Sequence, residues 1–186
     1  MARSGMTNLI TRTRRLINDT ASATWTDTEL QDVLDLHKLR IWREPLEREK
    51  TNLTGTTYEY RLYYSRQENL EEVASGTAYF HIEDSTGAAK GSADYTMDYI
   101  RGMLTMDADQ GGTALYISGW TFDINAAAGD CWREVAGGKA GKYDVSADGH
   151  RMSRSQLMKQ AIDMAKYYDG KSKPVSVRQW TNGISR

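Results

Sequence analysis

The stretch Trp25-Thr-Asp-Thr-Glu-Leu-Gln-Asp-Val-Leu-Asp35 leaves the backbone little choice. Thr26 and Glu29 stand three residues apart ahead of an apolar run, which is a capping box. The Thr26 hydroxyl accepts from the N–H of Glu29, and the Glu29 carboxylate reaches back to the N–H of Thr26. Asp27 adds negative charge where the helix dipole favours it. Leu30, Val33, Leu34 and His37 then recur at helical spacing, so a helix is expected over 27–37. Leu9-Ile-Thr-Arg-Thr-Arg-Arg-Leu-Ile-Asn-Asp19 predicts a second short helix over 8–18, with Leu9, Thr13, Leu16 and Ile17 on one face. Neither is long enough to be stable alone, so both must pack on something.

The 186 residues suffice for one domain, or one with an elaborated insertion. Basic and acidic residues number 24 and 25, a formal net charge of -1, so no global bias points to nucleic acid or an anionic membrane. No apolar run approaches bilayer length. The first residues are not followed by an apolar signal core, so the chain reads as made in the cytosol. Eleven Tyr and five Trp against two Phe favour half-exposed surfaces and interfaces over dry core.

The middle of the chain changes period. Pro45 argues against a central strand around Leu39–Leu46. Residues 57–64 alternate, with Tyr58, Tyr60, Leu62 and Tyr64 on one face and Tyr63 on the other. Further short strands are expected over 77–83, 94–98, 102–106 and 114–118. Helical spacing returns near Trp120 through Ile124, Ala128, Cys131 and Val135, predicting a helix over 121–137. Asp148-Gly149 signals a turn. Ser153 with Gln156 reads as a second capping box, opening a helix over 154–168 that ends near Gly170.

Two regions together are similar to one protein family. The arginine-rich helix, its break and the Trp-Thr-Asp-x-Glu-Leu-Gln-Asp-x-Leu-Asp helix form the first. The alanine-rich helix, Tyr143-Asp-Val-Ser-Ala-Asp-Gly149 and Ser153-Arg-Ser-Gln156 form the second. Covering roughly the first 35 residues and 120–168, they resemble the head-to-tail connector (adaptor) proteins of tailed bacteriophages. The resemblance implies a ring, usually dodecameric, beneath the portal protein. That ring extends the DNA channel towards a stopper or tail-completion protein. DNA would pass through its lumen without specific binding, with no membrane, cofactor or catalysis involved. The location implied is the virion neck.

The fold class expected is α+β, a small helical bundle from the N- and C-terminal segments with an antiparallel β-rich middle. The divisions are a helical core over 1–39 and 119–170, a β-rich insertion over 40–118 and an extended arm over 171–186. Arg12, Arg14 and Arg15, with Arg3, make a local basic patch that is either a solvated helix face or a contact for a portal or neighbouring subunit. Tyr58, Tyr60, Tyr63 and Tyr64 make both faces of one strand aromatic, which suits either ordinary sheet packing or a subunit interface. The arm carries Lys171, Lys173, Val175, Val177, Arg178 and Trp180 and no acid after Asp169, as expected of a segment that orders on a partner. A monomeric β-sheet module binding protein or carbohydrate through exposed aromatics is the alternative, as is another neck or tail-completion protein. His81, His150, Asp144 and Asp148 match no metal-loop spacing. Cys131 lies on a helical face that argues for burial rather than nucleophilic chemistry.

Overall fold

The computed structural model describes residues 2–54, 57–72, 80–139, 145–147, 150–152 and 154–172. Among them the chain is α+β, with four α-helices and two antiparallel sheets. After a short 3₁₀ turn come helices α1 (Thr7–Leu16) and α2 (Asp27–Leu36). The expected capping box is formed: the Glu29 N–H donates to Thr26 Oγ1 at 3.2 Å, and the Thr26 N–H donates to the Glu29 carboxylate at 2.7 Å.

The break between these helices is built on Asp19. Its carboxylate accepts from the N–H groups of Ala23, Thr24 and Trp25 at 2.9–3.1 Å and pairs with Arg14 at 2.8 Å. Burial alone would raise this carboxyl, but the donors from Thr24, Trp25 and Ala23 and the Arg14 charge outweigh it. Asp19 is held below the ordinary aspartate range. Asn18 and Ser22 take positive φ to close the turn.

Strand β1 (Lys38–Pro45) follows α2 and runs almost directly into β2 (Glu47–Thr54) and β3 (Thr57–Tyr64). Then come β4 (His81–Asp84), β5 (Tyr95–Asp98), β6 (Met103–Met106) and β7 (Leu115–Phe122). One sheet has the order β1-β7-β4 and the other β2-β3-β6-β5. Pro45 is the last residue of β1, which lies at a sheet edge, in keeping with the argument against a central strand there. One expectation is corrected here. Residues 120–122 are strand rather than helix, since Trp120 and Phe122 pair across the ladder with Arg40 and Lys38.

Helix α3 (Ile124–Lys139) starts only after Asp123, whose carboxylate accepts from the N–H groups of Asn125 and Ala126. A small hairpin, β8 (Val145–Ala147) and β9 (His150–Met152), precedes α4 (Arg154–Asp169). The Asp148-Gly149 turn and the Ser153 cap lie outside the described residues, as does 77–79 of the strand expected over 77–83.

Two apolar clusters result. Leu9, Ile10, Trp25, Leu30, Leu34, Phe122, Ala128, Cys131 and Tyr168 join α1, α2, α3 and the end of α4. Trp132 and Tyr168 both donate to the Leu16 carbonyl, at 3.4 and 2.9 Å. Ile41, Tyr63, Leu70, Ile82, Leu104, Leu115 and Ile117 form the second cluster, between the sheets.

Strand β7 contributes to both clusters, and the strap 65–72 sews them together. Leu70 and Glu71 donate to the Tyr99 and Trp120 carbonyls, and Glu72 donates to Gly5. Gly5 is required there, because a Cβ would sit 2.3 Å from the Glu72 carbonyl oxygen. The division points expected at 39/40 and 118/119 fall inside β1 and β7. The chain instead leaves and rejoins the helices at one place, where Asp123 N–H donates to the His37 carbonyl at 3.1 Å.

Candidate partner-binding surfaces

The basic residues of the first segment separate into three environments. Arg14 is buried. It donates to Asp19, to the Trp25 carbonyl and to Asp27 at 2.7–2.8 Å, so it holds the interhelical turn and is not available to a partner. Arg3 is also committed within the chain. Its guanidinium forms two bonds of 2.8 Å with Asp35 and one of 2.9 Å with Glu71, and those bonds to Asp35 and Glu71 raise its pKa despite burial. Arg12 and Arg15 remain on the outer side of α1. Arg12 is steadied by Asn69 Oδ1 at 3.0 Å, and Arg15 is exposed.

The tyrosines of β3 divide by face. Tyr63 is fully buried and donates to the Thr113 carbonyl at 3.1 Å, so it is a core residue and not an interface candidate. On the opposite face the tyrosines meet side chains of the neighbouring strand β2. Lys50 stands 3.5 Å from the Tyr58 ring centre, Arg48 lies 5.8 Å from that of Tyr60, and the Tyr64 hydroxyl donates to Glu49 at 2.5 Å. Tyr58 and Tyr64 keep 41% and 36% of their surface, enough to serve as the rim of a contact but not its centre.

Sequence reasoning missed the most exposed large apolar side chains among the described residues, Leu36 at 77% and Trp42 at 62%. Trp42 is turned outwards by a bulge between Ile41 and Glu44, where Arg43 takes a φ of 46° and donates its N–H to Ser118 Oγ at 3.0 Å. Only the Trp itself, flanked by Arg40 and Arg43, was a visible signal for that surface.

Of the arm, Lys171 lies 4.2 Å from the Tyr167 ring centre. Lys173, Val175, Val177, Arg178 and Trp180 lie outside the described residues.

Burial pushes the Cys131 thiol up to about 12, which suppresses the nucleophilic thiolate. His81 lies 3.8 Å from Glu83, whose carboxylate is also paired with Arg43 at 2.7 Å. Among the described residues no group of three or more His, Cys, Asp or Glu is placed to hold a metal ion, and no helix is long and apolar enough to cross a membrane. An open cleft of about 580 Å³ lies where α2 begins and α3 ends, lined by Trp25, Glu29, Glu134 and Val135. Comparison with models of protein families, with curated proteins and with solved structures finds no match to this chain.

Proposed function

We propose that this chain is a structural neck protein of a tailed phage, a head-to-tail connector that assembles as a ring beneath the portal. The observation that carries the reading is the opening unit. The residues that resemble the connector family are those that build the capped α2, the Asp19 turn and the α1 face packed on α3. In this reading the terminal segments form the family's small helical bundle, and the two sheets are an elaboration placed on it.

Near-neutral net charge suits a ring whose neighbours pair opposite patches and whose lumen must release DNA. A ring interface joins two different faces of the subunit. Leu36, Trp42, the rim tyrosines and the basic face of α1 are candidates for those faces. The function is then mechanical: it continues the conduit and offers the next component a new docking surface.

Purified chain mixed with portal particles should give a ring-shaped density below the portal in electron micrographs. A virion neck in which this chain has no density would reject the reading. The exposed Trp42, Tyr58 and Tyr64 favour one rival, a monomeric recognition module. That rival requires a monomer that gains no partner when portal is added.

A further inference from the structure

Helix α1 carries Asn8, Thr11, Arg12 and Arg15 at successive spacings of three, one and three, so all four share one side. Across from them stand Glu68, from the strap, and Ile100 and Arg101, from the turn between β5 and β6. Together these residues line an open cleft of about 590 Å³. Its walls are fixed. Asn69 N–H donates to the Ile100 carbonyl at 3.1 Å, and Asn69 Oδ1 holds the Arg12 guanidinium at 3.0 Å. Gly102, at a φ of 67°, is packed so that a Cβ would lie 2.2 Å from the Gln67 carbonyl oxygen.

The three guanidinium groups are poorly satisfied from within. Arg15 has no carboxylate within ion-pair distance among the described residues. The Arg101 side chain is 78% exposed, and Asp98 is 3.8 Å from it. Three arginines line this one cleft against a single lining carboxylate, Glu68, an excess of positive charge that an anion relieves.

We propose that this cleft recognises a carboxylate-bearing segment of a partner protein. The geometry favours a peptide over a nucleic acid because acids stand among the arginines. Glu68 lines the cleft, Glu72 holds Asn8 at 3.1 Å and Asp98 flanks Arg101. A duplex, a stiff rod with a charge roughly every 1.7 Å along its axis, cannot keep its phosphates clear of those carboxylates, whereas a flexible peptide, its residues about 3.3–3.6 Å apart, can turn its further acids outwards. The carboxylate recognised is that of a Glu or Asp side chain, taken by Arg15 and Arg101. The carboxylate chemistry stands on the cleft alone; naming the partner as portal or adjacent ring subunit rests on the neck reading.

The test uses the full chain, fluorescein-labelled hexaglutamate and a short DNA duplex at low salt. Hexaglutamate should bind, and the Kd should rise about tenfold or more in Arg15→Glu/Arg101→Glu, as expected when a charge-assisted hydrogen bond is lost. The same charge change at the exposed Lys159, Lys159→Glu, should alter the Kd by less than about twofold. In the unmodified chain, NMR amide shifts on adding hexaglutamate should map to Thr11, Arg12, Arg15 and Arg101, which keeps the proposal testable if the double variant fails to fold. Absent binding, equal binding by the double variant, or shifts elsewhere would overturn it. So would a duplex that depends on the same arginines and is not displaced by hexaglutamate.

Discussion

Asp19 is the residue on which the first two helices depend, because one carboxylate satisfies three backbone donors and one buried guanidinium. Removing its partner leaves that charge uncompensated. Arg14→Ala should therefore cost about 3–5 kcal/mol in urea unfolding, whereas the exposed Arg15→Ala should change stability by less than about 0.5 kcal/mol. The pH dependence has a definite sign. A carboxyl held lower in the folded state than in the unfolded chain contributes stability above the unfolded value of about 3.9, and that contribution is lost as pH falls through and below it. Asp19 and Asp35 are both lowered, the latter first by its bond to Arg3. The urea midpoint should hold down to about pH 5 and fall below about pH 4, and Asp19→Asn should flatten that fall. Cys131 belongs to the same scale. With its thiol raised to about 12 by burial, it should resist a thiol reagent at pH 8 in native protein and react promptly in urea.

At the scale of elements, burial of Leu34 on α2 and the Thr26 cap make separable contributions. Leu34→Ala should cost about 2–5 kcal/mol, because Leu34 is fully buried in the helical cluster. Thr26→Ala should cost about 0.5–2 kcal/mol, read from the same denaturation curves. Both were legible in the sequence, since a capping box and helical spacing are local signals. So were β3, whose alternation reports the pleat, and β5 and β6, which flank a turn. What escaped is instructive. Strand β2 is Glu47-Arg-Glu-Lys-Thr-Asn-Leu-Thr54, charged and without alternation, and it becomes a strand because β3 offers it a ladder. Residues 120–122 continued a helical spacing in the sequence, yet Trp120 and Phe122 find their partners eighty residues away in β1. The make-up of the basic patch was hidden for a related reason. Composition shows that arginines are near one another in sequence but not that Arg14 is folded inwards while Arg101 joins Arg12 and Arg15 from a distant turn.

Across the whole molecule, two apolar clusters share β7, Leu115 and Ile117 lying in one and Phe122 in the other. The strap adds backbone bonds between them. Unfolding should consequently be one transition, with tryptophan fluorescence and far-UV circular dichroism superimposing across the urea range; separated curves would mean that the helices and sheets melt independently. The arm is argued at this scale too. A chain truncated after Gly170, or carrying Trp180→Ala, is expected to fold with an unchanged urea midpoint yet fail to dock on portal particles; normal docking would remove that role from the arm. Finally, the adjacency of His37 and Asp123 bears on how such a chain can be assembled by recombination. Everything from β1 to β7 enters and leaves through a single hydrogen-bonded gate, so the two flanking helices already stand a peptide's width apart. The sheets are thus a cassette. A short turn can bridge the gate without re-routing either helix, and a foreign module whose own ends lie close together can be spliced into the same position. The scar left in the helical half is specific: the Phe122, Trp120 and Ile100 side chains, the Glu71 tether to Arg3, the Glu72 bonds to Gly5 and Asn8, and the Asn69 bond to Arg12.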